Sequence, residues 1–171
     1  MNTDLTISLL GPQDIEPLAA AFGAIGWHKP PSLYRGYLAE QQAGGRVVLV
    51  ARVQGLLAGY GTIRWESDYG PFREQGIPEI VDLNVLPPFR RRGVGSALLD
   101  EAERRISERS PVAGIGVGLY ADYGAAQRMY VLRGYVPDGR GLCYTGRQVP
   151  AGETVRVDDA LTLYLTRDLV Q

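Results

Sequence analysis

The sequence predicts an α/β fold in which helices pack on one mixed β-sheet. Apolar segments of strand length alternate along the chain with segments whose apolar residues recur at helical spacing. The 22 glycines and 11 prolines are spread between these segments and are not pooled in a linker, so we expect a single domain over residues 1–171. Apolar residues make up 45% and charged residues 22% of the chain, which is typical of a globular protein with a hydrophobic core.

The predicted elements follow the order β-α-α-β-β-β-α-β-α-β-β. Strands are expected at residues 6–10, 46–53, 56–65, 79–86 and 112–119, from residue 135 onward, and at residues 161–166. Helices are expected from residue 15, from residue 32, and over residues 93–109 and 122–133. The other long segments, residues 23–31, 66–78 and 140–159, are rich in turn residues and are predicted to be loops.

Local signals support several of these boundaries. Gln54-Gly55 between two apolar segments is typical of a β-hairpin. Ser32 and Asp122 can each cap the helix that follows, because their side-chain oxygens can accept hydrogen bonds from unpaired N–H groups of the first turn. Gly134 suits the position just past a helix end, where the backbone is often left-handed.

The charge and the supply of metal-binding side chains argue against several kinds of function. The 18 basic residues nearly balance the 19 acidic ones, so the net charge of -1 gives no general attraction to nucleic acid or to anionic membranes. One cysteine, Cys143, and one histidine, His28, cannot form a zinc site or an intrachain disulfide. The first residues lack the pattern of a signal peptide, and no apolar run reaches the ~20 residues of a membrane span, so we expect a cytoplasmic protein.

The clearest chemical signal joins a predicted strand to the strongest predicted helix. It consists of Arg90, Arg91 and Arg92, followed by Gly93 and Gly95. The N–H groups at a helix start lack intrahelical partners and, together with the helix dipole, form a site for a phosphate anion. The glycines let main chain approach a ligand, and the arginines add positive charge. These features predict a pyrophosphate-binding loop, which we call the phosphate loop (residues 90–96).

Two common phosphate-binding motifs do not fit this loop. A Walker loop needs Gly-Lys-Ser/Thr, which the segment lacks. The dinucleotide fingerprint needs Gly or Ala where Leu98 stands. Because the pattern Arg90-x-x-Gly93-x-Gly95 is short, a basic turn that begins a surface helix is the alternative interpretation of the motif by itself.

With its flanking residues, the segment resembles the acetyl-CoA-binding motif of the GNAT superfamily of N-acetyltransferases, Gln/Arg-x-x-Gly-x-Gly/Ala after a strand of the type Leu-x-Val-x-Pro. The matching residues here are Leu83, Val85, Pro87, Arg90, Gly93 and Gly95. A second family block, Ala-x-x-x-Tyr followed by Gly-Phe, is matched by Ala126, Tyr130 and Gly134-Tyr135. The predicted order of elements is also similar to that of the family, so a GNAT-like mixed central sheet is expected.

The resemblance implies acetyl-CoA as cosubstrate, with no metal, and assigns contacts to particular positions. Main-chain N–H groups of residues 91–96 are expected to hold the pyrophosphate. The residues implied to contact the cofactor are Leu83, Val85, Arg90, Arg91, Arg92, Gly93, Val94, Gly95, Ser96, Tyr123 and Ala126. Many family members carry Asn where this chain has Tyr123, so that single contact is left open.

The resemblance also implies how the acetyl group reaches an amine. The N–H of Val85 is expected to bond the thioester carbonyl and to stabilise the oxyanion that forms there. Tyr130 is expected to protonate the departing thiolate. The alternative for Tyr130 is a tyrosine that only packs against its neighbours.

Two carboxylates compete for the role of general base. Glu79 matches a strand glutamate that serves some family members in this role, and Asp82 is the rival. A regular strand places these side chains on opposite faces, unless a bulge near its end breaks the alternation. For either residue, a solvated carboxylate at a strand end is the alternative interpretation.

The acceptor amine is expected where residues 26–31 and 66–78 meet the segment after Tyr135. Aromatic side chains that could line this site are Trp27, Tyr34, Tyr69, Phe72 and Tyr120. The acceptor could be a small molecule, which we prefer, or a peptide. A homodimer is expected from the resemblance alone.

Two further functions are kept as alternatives. A non-catalytic acyl-CoA sensor would retain the phosphate loop and lack a working acid and base. A nucleic-acid binder that uses the three arginines is disfavoured, because nothing else basic surrounds them.

Overall fold

The computed structural model describes residues 4–170, which form one mixed sheet with five helices. The strands are β1 (Leu5–Leu9), β2 (Arg46–Val53), β3 (Leu56–Arg64), β4 (Glu79–Val85), β5 (Val112–Gly118), β6 (Val136–Tyr144), β7 (Arg147–Gln148) and β8 (Leu161–Asp168). The helices are α1 (Ile15–Ala24), α2 (Pro31–Gln42), α3 (Gly70–Gln75), α4 (Val94–Ser107) and α5 (Gly124–Leu132).

The strands follow the order β1-β2-β3-β4-β5-β8-β6-β7 in the sheet. β4 and β5 are parallel, whereas β1–β2, β2–β3, β5–β8, β6–β8 and β6–β7 are antiparallel. The predicted fold class, an α/β fold with one mixed sheet, is therefore confirmed. The predicted order of helices and strands lacked only the short helix α3 and the two-residue strand β7.

By its internal contacts the chain forms two compact units. The first consists of the residues up to Arg64 together with Val81–Arg104. The second consists of Trp65–Ile80 together with the residues from Arg105 onward. The prediction of a single domain stays a prediction.

The first unit places α1 and α2 on the antiparallel strands β1, β2 and β3. β2 and β3 are joined by the hairpin predicted at Gln54-Gly55, and both residues have positive φ, +52° and +77°. This is the backbone that a tight two-residue hairpin requires. The buried residues of this core are Leu10, Ile15, Leu18, Phe22, Tyr34, Val48, Val50, Tyr60 and Leu86.

The second unit is built on the antiparallel pair β5–β8. The ring of Tyr69 stacks on that of Tyr164, with centroids 3.6 Å apart, and Phe72 meets Tyr164 edge-on. A Cβ on Gly114 of β5 would lie 2.4 Å from the Phe72 ring, so glycine at this position makes room for the aromatic core. The other buried residues of this core are Ile77 and Cys143.

Both predicted helix caps are wrong. α2 begins at Pro31 with Pro30 in the cap position, so Ser32 lies inside the first turn. Proline is tolerated at the first helical position because its missing N–H would have no partner there. Asp122 lies in a 3-10 turn before α5, which begins at Gly124.

The segment 66–78 was predicted as a loop and contains the six-residue helix α3. Gly70 and Pro71 begin this helix, so the turn residues that suggested a loop form its first turn. Gly76, with φ +65°, ends it in the left-handed conformation common after helices. Gly134 has φ +91° just past the end of α5, as predicted.

The segment 140–159 was predicted as a long excursion, but β6 continues through its first residues to Tyr144. The pairing of β6 with β8 shifts register between Pro137 and Leu142. Gly139 and Gly141, with φ of +86° and +74°, lie in this irregular stretch. Glycines that suggested turns therefore permit an irregular strand.

In the part of the chain that the structure describes, no helix has both the length and the apolar character needed to cross a lipid bilayer.

Candidate functional site

β4 carries both candidate bases and has an irregular backbone at Asp82. This residue has φ +54°, a left-handed conformation that is uncommon in strands and is tolerated by aspartate better than by most residues. The simple alternation of side chains between Glu79 and Asp82 is broken at this point. The sequence alone leaves open whether this strand is regular or carries a bulge.

The Asp82 carboxylate accepts four hydrogen bonds within the first unit. Its Oδ1 accepts from Lys29 Nζ at 2.8 Å and from Asn84 Nδ2 at 2.7 Å. Its Oδ2 accepts from the hydroxyls of Tyr37 at 2.9 Å and Tyr60 at 2.6 Å. These donors belong to the α1–α2 connection, α2, β3 and β4, so hydrogen bonds to one carboxylate connect four parts of the unit.

These partners determine the protonation of Asp82. Burial by itself would raise the pKa of its carboxyl, but the Lys29 ammonium and the hydrogen bonds from Lys29, Tyr60 and Asn84 outweigh burial and lower that pKa. A carboxylate with a lowered pKa is a weaker proton acceptor. The environment therefore keeps Asp82 charged and disfavours it as a general base.

Glu79 lies in the second unit in a different environment. Its side chain is buried, and the Ser67 hydroxyl donates to its Oε2. Ser67 Oγ in turn accepts from the Tyr69 N–H at 3.0 Å, which orients the hydroxyl proton toward the glutamate. Arg73 holds the same turn by donating to the carbonyl oxygens of Ser67 and Asp68, both at 3.2 Å. The turn before α3 thus positions the Glu79 carboxylate.

The end of β4 lies close to β3, and two glycines of β3 permit this. A Cβ on Gly59 would lie 2.4 Å from the carbonyl oxygen of Asn84 and 3.1 Å from the Cα of Val85. A Cβ on Gly61 would lie 2.9 Å from the side chain of Leu83. Backbone at Asn84 cannot give way as a flexible side chain can, so Gly59 is the stricter requirement.

The three arginines after β4 are all exposed but have different contacts. Arg90 Nε donates to the carbonyl oxygen of Val85 at 3.1 Å, and its guanidinium carbon lies 5.8 Å from the ring centroid of Trp27. Arg91 is exposed. The Arg92 side chain is exposed and lies over Phe89, at 5.7 Å from the ring centroid.

The phosphate loop has the backbone expected of an anion site. Arg91 and Gly93 are left-handed, with φ of +59° and +81°. α4 begins at Val94, and the Ala97 N–H donates to the Gly93 carbonyl at 2.9 Å. The N–H groups of residues 94–96 precede this bond and have no intrahelical acceptor. Within this stretch Val94 is buried, whereas Ser96 is exposed and Gly95 half-buried.

Tyr130 lies on α5 and is buried, with 5% of its surface exposed. Burial raises the pKa of its hydroxyl to about 12, so the phenol stays protonated at neutral pH, as a proton donor must. Its ring tilts against Tyr135 at a centroid distance of 6.0 Å. Ala126 lies about one turn earlier on the same helix and is half-buried.

Tyr123, the residue that departs from the family pattern, is held by its own neighbours in the second unit. Its hydroxyl donates to Asp159 Oδ1 at 2.9 Å, and the Tyr120 hydroxyl donates to the same oxygen. The Tyr123 ring lies against Gly118, where a Cβ would be 2.4 Å from it. The hydroxyl is thus engaged with Asp159 in this structure.

Three of the five aromatic side chains that were expected to line an acceptor site are core residues. Tyr34, Tyr69 and Phe72 are at most 3% exposed, so they pack in the two cores and do not line an open site. Trp27 is 37% exposed, and Tyr120 is half-buried. His28 is exposed.

Several residues around the candidate bases were not predicted: Lys29, Tyr37, Tyr60, Asn84 and Ser67. None of them is a defining position of a motif, although Asn84 lies between Leu83 and Val85 of the family pattern. Lys29 and Asp82 are 53 positions apart, so their contact leaves no local pattern. The one available hint was a tyrosine hydroxyl inside the apolar strand β3, because a buried hydroxyl needs a partner.

Over residues 4–170, no group of three or more His, Cys, Asp and Glu side chains is arranged to hold a metal ion.

Comparison with known proteins identifies the family. A sequence model of the acetyltransferase (GNAT) family matches residues 14–135, well over half of the chain. No curated protein matches the chain in a sequence search.

Many solved structures share the fold. An N-acetyltransferase of Staphylococcus aureus Mu50 superposes with a TM-score of 0.72 at 15% identity, covering 97% of this chain and 99% of that one. A ribosomal-protein-alanine N-acetyltransferase of Brucella melitensis gives 0.70 at 20% identity, covering 95% and 99%. The Salmonella typhimurium protein YncA, solved with its cofactor acetyl-CoA, gives 0.69 at 17% identity, covering 98% and 95%.

At these identities the structures establish the fold, and the sequence match establishes the family. The matched region contains β4, the phosphate loop, α4 and α5, and it includes every residue assigned from the two motifs, up to Tyr135. The chain therefore belongs to the acetyltransferase (GNAT) family and is an acetyl-CoA-dependent N-acetyltransferase.

Proposed function

We propose that the protein transfers the acetyl group of acetyl-CoA directly to an amine of a small molecule or a peptide. The observation that carries this proposal is the phosphate loop, whose left-handed Arg91 and Gly93 lead into a helix with three unpaired N–H groups at its start. The acetyl-CoA bound to the structurally similar YncA supports the same cofactor here.

In this proposal the cofactor is held mostly by main chain. The N–H groups of residues 91–96, which include Val94, Gly95 and Ser96, bind the pyrophosphate, and the exposed Arg91 and Arg92 add positive charge. Leu83, Tyr123 and Ala126 are proposed to contact the rest of the cofactor. Because the Tyr123 hydroxyl is engaged with Asp159, we expect any cofactor contact of this residue to use its ring.

The proposed reaction forms an amide and releases the thiol of CoA. The unprotonated amine nitrogen attacks the thioester carbon, and the Val85 N–H bonds the carbonyl oxygen as negative charge develops. The carbon–sulfur bond breaks, Tyr130 gives a proton to the departing sulfur, and the surplus proton of the amine passes to the general base.

Glu79 is the general base that the two environments favour. Asp82 is held as a charged group by Lys29, Tyr60 and Asn84, which outweigh burial and lower the pKa of its carboxyl. Glu79 is oriented by Ser67 from a turn that belongs to its own unit. A buried carboxylate can act through a water molecule, so it does not need to touch the amine itself.

The acceptor is proposed to be a primary amine. The Brucella protein that shares this fold is a ribosomal-protein-alanine N-acetyltransferase, which keeps a protein N-terminus among the candidates beside small amines. The negative charge of Asp82 is already matched by Lys29, so we do not assign Asp82 to bind a cationic acceptor. A homodimer is also a proposal, which rests on the resemblance to the family, and a cytoplasmic location is a proposal that rests on the sequence alone.

Calorimetric titration with acetyl-CoA, CoA and ATP tests the cofactor assignment. We expect binding of both CoA species and none of ATP. Gly93→Val should weaken CoA binding, because valine strongly disfavours the left-handed backbone of the loop. Gly44→Val is the matched control, since Gly44 has φ +83° and, as at Gly93, a Cβ added there would meet no protein atom within 4 Å. Absence of CoA binding to well-folded protein would overturn the proposed function.

Three substitutions then separate a working enzyme from a non-catalytic acyl-CoA sensor. With an acceptor found by screening, Glu79→Gln and Tyr130→Phe are each expected to lower kcat by about 100-fold or more, with CoA affinity retained. Asp82→Asn is expected to change turnover only indirectly, because it alters the hydrogen bonds that the Asp82 carboxylate accepts from its neighbours. If none of the three changes turnover, the catalytic assignments are wrong even though CoA binds.

A further inference from the structure

The peptide between Val85 and Leu86 is held at both of its polar ends within the first unit. The Val85 carbonyl accepts from Arg90 Nε at 3.1 Å, and the Leu86 N–H donates to the Ala58 carbonyl at 2.8 Å. Gly59 lets the backbone at Val85 approach β3 closely. Bonds to both of its polar groups restrict rotation of this peptide plane. The neighbouring Asn84–Val85 peptide carries the Val85 N–H, and its carbonyl oxygen lies against Gly59.

The Arg90 side chain is exposed but contacts an aromatic ring of the first unit. Its guanidinium lies over the ring of Trp27, and Trp27 stacks on Phe22 with centroids 5.8 Å apart and planes 20° apart. Phe22 is completely buried in the core of the first unit. A series of contacts therefore runs from that core through Trp27 and Arg90 to the Val85 carbonyl.

The motif helps to choose between two roles for Arg90, hydrogen-bond donation to Val85 and binding of a phosphate by charge. The family pattern allows Gln or Arg at this position. Gln cannot supply positive charge to a phosphate, but its side-chain Nε2 occupies the same place along the side chain as Arg Nε. The atom that the two residues share is the one that donates to Val85 here. Either Gln or Arg can donate a hydrogen bond to the strand end, whereas binding of a phosphate through positive charge requires Arg.

We propose that Arg90, held by Trp27, is a positioning residue that fixes the Val85 backbone, and that it is not a ligand of the pyrophosphate. The proposal rests on the proposed function in one respect, because it takes the Val85 N–H to be the donor to the thioester carbonyl. A misplaced oxyanion donor lowers the rate of the chemical step, whereas pyrophosphate binding depends on the N–H groups of residues 91–96 and should be unchanged.

Two substitutions that separate charge from donor geometry test this. Arg90→Gln removes the charge and keeps a donor at the Nε place, whereas Arg90→Lys keeps the charge and moves the donor one atom farther along the side chain. We expect Arg90→Gln to stay within about threefold of the wild-type kcat and Arg90→Lys to lose about 10- to 100-fold, in line with the cost of small misplacements. The Kd of free CoA should be unchanged in both variants.

Trp27 and Arg92 supply the matched controls. Trp27→Ala should lower kcat in the same direction as Arg90→Lys, because it removes the surface on which the guanidinium lies. Arg92→Gln should weaken CoA binding more than Arg92→Lys, as expected of a residue that acts by charge. Thermal unfolding of each variant checks that the fold is kept.

The opposite pattern at Arg90 would overturn the inference. If Arg90→Gln weakens CoA binding and Arg90→Lys restores it, Arg90 is a phosphate ligand. Unchanged kcat in Arg90→Lys and Trp27→Ala would also contradict the positioning role, while the proposed function would stand as long as wild-type protein binds CoA. Loss of CoA binding in the wild type would overturn the proposed function and this inference together.

Discussion

At the scale of single residues, the environment separates two carboxylates that lie on the same strand. Asp82 accepts four hydrogen bonds, one of them from an ammonium, and the pKa of its carboxyl is lowered. Glu79 is buried beside an oriented serine hydroxyl. Asp82 is therefore a charged connection between elements, and Glu79 is the residue that we propose as proton acceptor.

Lys29→Met is predicted to lower the free energy of unfolding by about 2 kcal/mol at pH 7, because it removes a hydrogen bond to a charged group and leaves a partly buried carboxylate without its cation. The folded-state pKa of Asp82 lies below the ordinary 3.8. The stability that Asp82 contributes is thus fully present above about pH 4 and is lost as the pH falls through the lowered pKa. The difference between wild type and variant should shrink below about pH 4, as measured by urea unfolding at several pH values.

The exposed pair Arg35–Glu16 provides a control for this measurement. Its side chains are 61% and 68% exposed, so Arg35→Met should change stability little at any pH. A difference between wild type and Lys29→Met that is the same at pH 7 and pH 3 would contradict the role assigned to Lys29.

At the scale of elements, the end of β4 depends on β3. β3 presents Gly59 where the Asn84 carbonyl and the Val85 backbone lie, and α2 and the α1–α2 connection reach the same strand through Tyr37 and Lys29. The strand end is therefore positioned by contacts from outside the motif that identifies it.

Gly59→Ala is predicted to lower the free energy of unfolding by about 1–3 kcal/mol, because the added methyl would lie 2.4 Å from backbone at Asn84 and the two strands would have to move apart. Turnover should fall as well, since Val85 moves with them. Gly23→Ala is the control, because a Cβ at that position of α1 meets nothing within 4 Å and alanine favours helix. Urea unfolding and steady-state kinetics of both variants measure these effects, and equal behaviour of the two would refute the packing argument.

At the scale of the whole molecule, the chain has the fold and the family signature of an acetyltransferase. Binding of acetyl-CoA should therefore stabilise the folded protein. Acetyl-CoA that binds only the folded protein is predicted to raise its free energy of unfolding by about 2.7 kcal/mol at 100 times the Kd. Thermal unfolding with acetyl-CoA, compared with the same concentration of ATP, checks this. Gly93→Val should lose most of the shift at that concentration. A shift of equal size with ATP would indicate a general phosphate site.

The amino-acid sequence was enough to predict the fold class, nearly all of the strands and helices, and the family, and it points to the phosphate loop, whose role in binding is a proposal. These features depend on residues that are close along the chain. Periodic apolar residues bury one face of a helix or strand, and a basic glycine-containing turn before a helix leaves N–H groups unpaired, whatever the rest of the molecule does. The failures at this level were also local: α3 was hidden by Gly70 and Pro71, and the continuation of β6 by Gly139 and Gly141.

The surroundings of the two carboxylates became known only from the three-dimensional structure. Sequence left Glu79 and Asp82 as equal candidates, because the left-handed backbone of Asp82 and its contacts with Lys29 and Tyr37 have no local pattern. It also could not show that Tyr34 is a core residue. Burial and pKa depend on which distant residues meet in space, and many sequences with the same periodicity and motifs would bring different side chains together.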